Sequence, residues 1–245
     1  MKVKDYIMER VRAKQTMHMT LIDPAKQSYE KAAEIASCAE RLGTDAIMVG
    51  GSTDVTQENL DSTVLAIKNV VKVPVIYFPS GAHAIARATD AIYFMSMLNS
   101  RNRKNIIGEQ VMGAPIIAKL GMEAISMGYM IVEPGMKVGE VGEADLIRRD
   151  DAASAVAYGL AAQFLGMDII YYEAGSGAPE PVPMEMIASI KSKVRIPVII
   201  GGGIRTAEQA AMVRKAGADV IVTGTIVENG SYRASLESLI KAVKS

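Results

Sequence analysis

Short, unbroken apolar runs recur along the chain, and longer stretches of helical periodicity separate them. The runs are 17–22 (MHMTLI), 46–49 (AIMV), 74–78 (PVIYF), 91–95 (AIYFM), 129–133 (YMIVE), 168–172 (DIIYY), 197–200 (PVII) and 219–223 (DVIVT). Most lack an apolar/polar alternation, the pattern of parallel strands covered on both faces. Segment 29–42 places Ala32, Ala33, Ile35, Ala36, Ala39 and Leu42 on one helical face, follows Ser28 and stops at Gly43. Segment 207–216 opens with Thr206 and Gln209 at capping-box spacing and stops at Gly217. Eight such βα units predict an α/β fold, a (β/α)8 TIM-type barrel.

Length agrees with this. Closed α/β barrels use about 200–250 residues as one unit, and the chain has 245. No Ser/Gly/Pro-rich linker divides it, so one domain is expected over 1–245. Gly43-x-Asp45 and Gly166-x-Asp168 precede two of the runs, and Pro74 and Pro197 open two others. Both pairs are offset by 123 residues. Half-barrel duplication would give this, and so would the ordinary recurrence of helix-stop Gly and strand-start Pro.

Composition narrows the function classes. Lys+Arg and Asp+Glu each number 27, which excludes a generally basic nucleic-acid binder. The one cysteine, Cys38, allows no internal disulfide, so a reducing, cytoplasmic setting is expected. The longest uncharged stretch, 152–167, contains Gln163 and falls short of the ~20 apolar residues a membrane span needs. The first residues alternate in charge and lack the apolar run of a signal peptide. There are 16 Met, nine Tyr, three Phe and no Trp. The Met residues suit an irregular core, or a flexible apolar groove for a long ligand.

Barrels of this kind carry chemistry at the C-terminal ends of their strands. Run 7 leads into Gly201-Gly202-Gly203-Ile204-Arg205, and run 8 into Gly224-Thr225. Consecutive glycines let backbone N–H groups approach an anion, and loops after strands 7 and 8 are the usual phosphate site of the fold. Tight turns are the alternative reading. Run 6 leads into Glu173-Ala174-Gly175-Ser176-Gly177, and period-2 alternation puts Tyr171 and Glu173 on one face. Glu173 is either a general base on a substrate hydroxyl or a buried acid paired with a cation. Asp23, before Pro24, and Ser52, after Gly50-Gly51, could hold Mg²⁺ if substrate phosphates complete the shell. Arg101, Arg103 and Lys104 form a basic knot in the irregular segment 96–106, either a solvated loop or an anion contact; 134–150 is the second irregular segment. His18, His83 and Cys38 are given structural roles.

In order along the chain, HMTLIDPAKQ (18–27), MVGGSTDV (48–55), YFPSGAHAI (77–85), MSMLNSRN (95–102), GYMIVEPG (128–135), YYEAGSGAPEPV (171–182), GGGIRT (201–206) and VTGT (222–225) resemble the geranylgeranylglyceryl phosphate synthase family. The Glu-Ala-Gly-Ser-Gly form is similar to its second subgroup. The resemblance covers essentially the whole chain. It implies an archaeal-type prenyltransferase of lipid synthesis, in which the 3-hydroxyl of sn-glycerol 1-phosphate attacks carbon 1 of geranylgeranyl diphosphate and diphosphate leaves. It further implies that Asp23 and Ser52 bind Mg²⁺ and that Glu173 is the base. Tyr171, Tyr172, Glu173, Ala174, Gly175, Ser176, Gly177, Gly202, Gly203, Gly224 and Thr225 would hold glycerol 1-phosphate. Two departures stand out. Ala25 replaces the second Asp of the family's Asp-Pro-Asp-Lys, and Tyr172 stands where an aliphatic residue is usual, on the face turned away from the site.

The two small molecules are the expected partners, without nucleic acid or a transmembrane segment. A homo-oligomer and transient membrane contact for product release are further expectations. The alternatives are the same reaction on a longer prenyl diphosphate, a phosphosugar isomerase or lyase on the same barrel, and a catalytically silent phosphate-binding barrel.

Overall fold

A computed structural model describes residues 1–228 and 232–245. The described residues form eight parallel strands that close into a barrel in sequence order. The strands are β1 (Met17–Ile22), β2 (Ala46–Val49), β3 (Val75–Tyr77), β4 (Ala91–Met97), β5 (Ala124–Ile131), β6 (Ile169–Glu173), β7 (Val198–Gly201) and β8 (Val220–Thr223). The helices are α1 (Val3–Arg12), α2 (Tyr29–Arg41), α3 (Gln57–Lys68), α4 (Glu109–Leu120), α5 (Met136–Val141), α6 (Ala152–Phe164), α7 (Met184–Lys193), α8 (Ala207–Lys215) and α9 (Tyr232–Lys244).

The TIM-type barrel read from the apolar runs is the observed fold. Inward positions such as Met17, Met19, Met48, Ile76, Met127 and Ile199 fill the interior. Outward positions such as Ile47, Val49 and Val75 pack on α2 and α3, and Ile170, Tyr172 and Ile200 pack in the cluster that takes in α6 to α9. The capping box at α8 forms as its spacing predicts: Gln209 N–H donates to Thr206 Oγ1, and Thr206 N–H to Gln209 Oε1, both at 3.2 Å. No helix among the described residues is long and apolar enough to cross a membrane.

Three features depart from the sequence reading. First, β5 starts at Ala124 rather than 129 and ends at Ile131. Its first half (Ala124, Ser126, Gly128) has no continuous apolar run, and pairing with β4 from Ile92↔Ala124 to Met97↔Tyr129 holds it in the sheet. Tertiary pairing overrides local propensity here. Second, β3 is not followed by a helix; segment 78–90 is irregular. β3 is also short and joins β4 only through Ile76↔Ala91 and Tyr77↔Ile92, so the wall above this pair is open. Third, the charged N-terminal segment is an amphipathic helix. Val3 and Ile7 of α1 join the interior cluster, and the Glu123 carboxylate accepts from the N–H groups of Val3 and Lys4 at 2.8 Å each. This helix therefore caps the N-terminal mouth of the barrel and leaves the opposite mouth for ligands.

Candidate active site

At the C-terminal mouth, alternation along β6 sorts the side chains. Tyr171 and Glu173 point into the barrel. Tyr172 and Ala174 lie in the outer apolar cluster, and the Tyr172 hydroxyl donates to the Ala155 carbonyl at 2.6 Å. The Tyr172 side chain thus ties β6 to α6 and faces away from the site, as the alternation along the strand predicts, and Tyr172 has only backbone to offer a ligand. Ala174 likewise has only backbone to offer.

Glu173 is 7% exposed. Its Oε1 accepts from the Gly175 N–H at 2.7 Å. Burial pushes its carboxyl up to about 7, against the opposing pull of the Gly175 N–H and the Tyr171 hydroxyl. No cation pairs with it among the described ion pairs, so the reading as a structural ion-pair partner is not supported. An acid held near 7 beside a cavity has the poise of a general base. Gly202 sits against it with φ +79°, where a β-carbon would collide with Oε1, so that position needs glycine twice over.

Glu173 stands between two cavities. One, of about 40 Å³, is bounded by Tyr171, Ser176, Gly177, Gly202, Gly203, Arg205, Thr223, Gly224 and Thr225, among others. Thus the loops after β6, β7 and β8 do meet around one space. Ser176 Oγ lies 3.1 Å from Thr225 Oγ1, and the Arg205 guanidinium donates to the Gly177 carbonyl at 2.5 Å. Glycine backbone, two hydroxyls and one guanidinium suit a single phosphate. Thr223 is anchored from outside by His18, whose Nε2 lies 2.9 Å from its Oγ1. His18 is wholly buried, and burial lowers its ring to about 3, which keeps it neutral.

The other cavity, of about 170 Å³, is mostly apolar. It starts at Leu21, Tyr129 and Glu173, passes Phe78, Tyr93 and Met95, and reaches Ile92, Phe94, Gly113 and Ile117. Those last residues include outward-facing positions of β4 and the inner face of α4. The cavity therefore leaves the barrel through the gap that short β3 and its missing helix create. Of the Met-rich segment 94–98, Phe94, Met95 and Met97 line it. Leu21, Glu173 and Ser176 line both cavities.

Asp23 and Ser52 lie at the mouth near each other's loops. The Asp23 carboxylate rests against Gly51, where a β-carbon would collide with it, and Oδ1 accepts from the Ala25 N–H at 3.0 Å. Burial raises the Asp23 carboxyl above its ordinary value, with the Ala25 N–H and Lys26 opposing. Ser52 lines the apolar cavity and is exposed. Among the described residues, no three Asp, Glu, His or Cys side chains converge on a cation position. In the basic knot, Arg101 pairs with Asp145 at 3.4 Å and Lys104 with Glu109 at 3.0 Å. Glu109 belongs to the cavity rim, so the knot borders the apolar opening. Cys38 is buried in α2, and His83 Nε2 lies 3.1 Å from the Val55 carbonyl.

Sequence reasoning passed over three kinds of residue. Arg205 was available as a cation two residues after three glycines. Leu21, the divider of the two cavities, carried no signal beyond its strand. The α4 wall of the groove, Gln110, Gly113 and Ile117, sits on a helix apolar on all sides, which hides the functional face.

The profile of the PcrB family matches residues 8–245. A protein of Thermococcus gammatolerans named geranylgeranylglyceryl phosphate synthase is 51% identical over 99% of this chain and 98% of its own. One of the same name from Thermoplasma volcanium is 49% identical over 97% and 95%. The crystal structure of (S)-3-O-geranylgeranylglyceryl phosphate synthase from Thermoplasma acidophilum, solved with sn-glycerol-1-phosphate, superposes with a TM-score of 0.97 at 43% identity, over 100% of this chain and 99% of that one. A thiamine phosphate pyrophosphorylase from Pyrococcus furiosus, at 16% identity and a TM-score of 0.60, shares the fold alone. Sequence, fold and the doubled cavity around Glu173 agree, and the chain belongs to the PcrB family.

Proposed function

We propose that the chain joins the 3-hydroxyl of sn-glycerol 1-phosphate to carbon 1 of geranylgeranyl diphosphate and releases diphosphate. The observation that carries this reading is the shared wall. A buried acid stands where a small polar, glycine-lined pocket meets a long apolar cavity. The polar pocket suits the phosphate of the acceptor, and the cavity suits a polyprenyl tail. Each methylene sheltered there contributes ~0.8 kcal/mol, so half of a twenty-carbon tail contributes several. Relatives named for this reaction, with full-length coverage, support it.

Glu173 takes the proton of the attacking hydroxyl. The loops after β7 and β8 hold the phosphate so that the hydroxyl turns towards Glu173, and Leu21, Phe78, Tyr93 and Tyr129 exclude water. The donor set of Asp23 and Ser52 fits Mg²⁺: one carboxylate, kept accessible by Gly51, and one hydroxyl, with the diphosphate and waters as remaining ligands. Such an ion would neutralise charge on the leaving diphosphate. The basic knot at the rim supports a role in attracting that anion.

A reducing, cytoplasmic setting is in keeping with the single buried Cys38. Val111, Met112, Ile116 and Leu120 leave an apolar outer face on α4, which supports self-association. The test of the function is incubation with labelled sn-glycerol 1-phosphate and prenyl diphosphates of graded length, with Mg²⁺ and without, and products read by mass. A C20 ether product supports the reading; no ether product with any donor, alongside turnover of a phosphosugar in a parallel incubation, overturns it.

A further inference from the structure

Four aromatic rings gather where the apolar cavity meets Glu173. Phe78 stacks on Tyr171, centroids 5.6 Å apart and planes 14° from parallel. Phe78 meets Tyr129 at 5.5 Å and Tyr93 at 6.1 Å, both edge-to-face. Tyr129 and Tyr171 meet at 5.2 Å, again edge-to-face. The chain has only three Phe and nine Tyr. It commits four of them to one position in a barrel otherwise filled by Met, Ile, Val and Ala. Filling volume does not demand this, because aliphatic side chains fill the layers below. Phe78, Tyr93 and Tyr129 line the same cavity as Glu173. The cation–π contacts found among the described residues involve Tyr6 and Tyr232, not these rings. An electron-rich wall thus faces the site, with no protein cation on it among the described residues.

Taking the reaction above as its basis, we propose that Phe78 and Tyr129 are catalytic residues whose rings stabilise the positive charge developing on the allylic carbons. The C1–O bond breaks and its electron pair leaves with diphosphate. Positive charge spreads over C1 and C3. The glycerol 3-oxygen then forms the C–O bond with a lone pair, and its proton passes to Glu173. For that hydroxyl to reach both Glu173 and C1, C1 lies at the wall shared by the two cavities. The next carbons of the tail then run along Phe78 and Tyr129. A ring quadrupole attracts a cation far more than the neutral hydrocarbon before ionisation. The interaction strengthens on the way to the transition state, which is the condition for raising rate rather than affinity.

The experiment replaces Phe78 by phenylalanines carrying one, two and three ring fluorines, which keep shape and progressively cancel the quadrupole. Single-turnover rates are measured with geranylgeranyl diphosphate and sn-glycerol 1-phosphate, together with melting temperature and glycerol-phosphate affinity. The logarithm of the rate is expected to fall in step with fluorine number, to roughly 10–30-fold at three fluorines. Tm and acceptor affinity stay level. Tyr129→Phe is expected within about threefold of the parent and Tyr129→Leu at least about tenfold slower. Ether product with a flat fluorine series overturns this inference and leaves the reaction standing. No ether product from the unmodified chain with any prenyl diphosphate overturns the reaction, and this proposal with it.

Discussion

The Glu173 carboxylate accepts from the N–H of Gly175, two residues on, at 2.7 Å, the one backbone hydrogen bond this carboxylate accepts among the described residues. One backbone donor and the Tyr171 hydroxyl do not offset near-complete burial, so the carboxyl rises to about 7 rather than staying in the usual acid range. Since the base acts only when ionised, kcat/KM is expected to rise with pH through about 7 and level off above it. A pH–rate profile of the free enzyme checks this. An absence of any inflection between pH 6 and 8 would take the base role from Glu173.

Stability carries the opposite sign. The folded-state pKa lies above the unfolded one, so between about 4.5 and 7 the folded chain binds more protons than the unfolded chain. Stability therefore falls as pH rises through that window. Glu173→Gln removes the cost of the buried charge and keeps an acceptor for Gly175. The variant is expected to melt higher than the parent at pH 8, with the gain shrinking towards pH 4.5. Turnover should fall by about 10²–10⁴-fold, with far less change in glycerol 1-phosphate affinity. Melting curves and single-turnover rates on one preparation decide this. A lower Tm with normal turnover would make Glu173 a structural residue.

Asp23 depends on Gly51 for its position. Asp23→Asn keeps the shape of the side chain and the Ala25 contact but removes the charge. It is expected to lose most activity at limiting Mg²⁺, with partial recovery at high Mg²⁺ and an unchanged circular dichroism spectrum. Gly51→Ala should show the same Mg²⁺ dependence, because its methyl displaces the carboxylate. Full activity of Asp23→Asn at limiting Mg²⁺ would remove the assignment.

Arg205 and the glycines of β7 and β8 fix one phosphate on one side of Glu173. An acceptor clamped there presents its primary hydroxyl correctly in one enantiomer only. The chain is expected to prefer sn-glycerol 1-phosphate to its mirror image, and Arg205→Ala to raise KM for the acceptor by roughly tenfold or more, the scale of a lost charge-assisted hydrogen bond. Steady-state kinetics with both enantiomers provide the measurement. Equal rates would contradict a single clamp.

Elements whose pattern is local were legible in the sequence. Strands such as β2 and β7 are unbroken apolar runs, α2 and α8 carry their own caps and stops, and the alternation along β6 already sorted Tyr171 and Glu173 from Tyr172. What was not legible depends on partners distant in sequence. Ala124 to Gly128 is a strand because β4 pairs with it. Segment 78–90 looks no different from other loops, yet the lack of a helix there opens the barrel wall. Met residues read alike in sequence, but Met17, Met19 and Met48 are core while Met95 and Met97 face a cavity. Glu173 was legible as an acid at a strand end; that it divides two cavities follows only from the closed barrel.

Gly113 faces the groove from α4, and a β-carbon there would lie 3.7 Å from Ala82 Cβ, 3.8 Å from Ile117 Cδ1 and 4.0 Å from Ile85 Cδ1. These are ordinary van der Waals distances, so Gly113→Ala is accommodated and also favours the helix by about 0.8–1 kcal/mol. A larger side chain has no room except the groove itself. Gly113→Phe is therefore expected to occupy the space of the distal tail. Its kcat/KM for geranylgeranyl diphosphate should drop by more than about tenfold, while that for a C10 diphosphate, which stops short of α4, stays within about threefold of the parent. Glycerol 1-phosphate KM should not move, because the phosphate pocket lies across Leu21. A uniform loss over all chain lengths would mean that the tail takes another route; an unchanged preference for C20 would mean the same. Rates for C10, C15 and C20 donors on Gly113→Ala and Gly113→Phe side by side separate a filled groove from a disturbed helix.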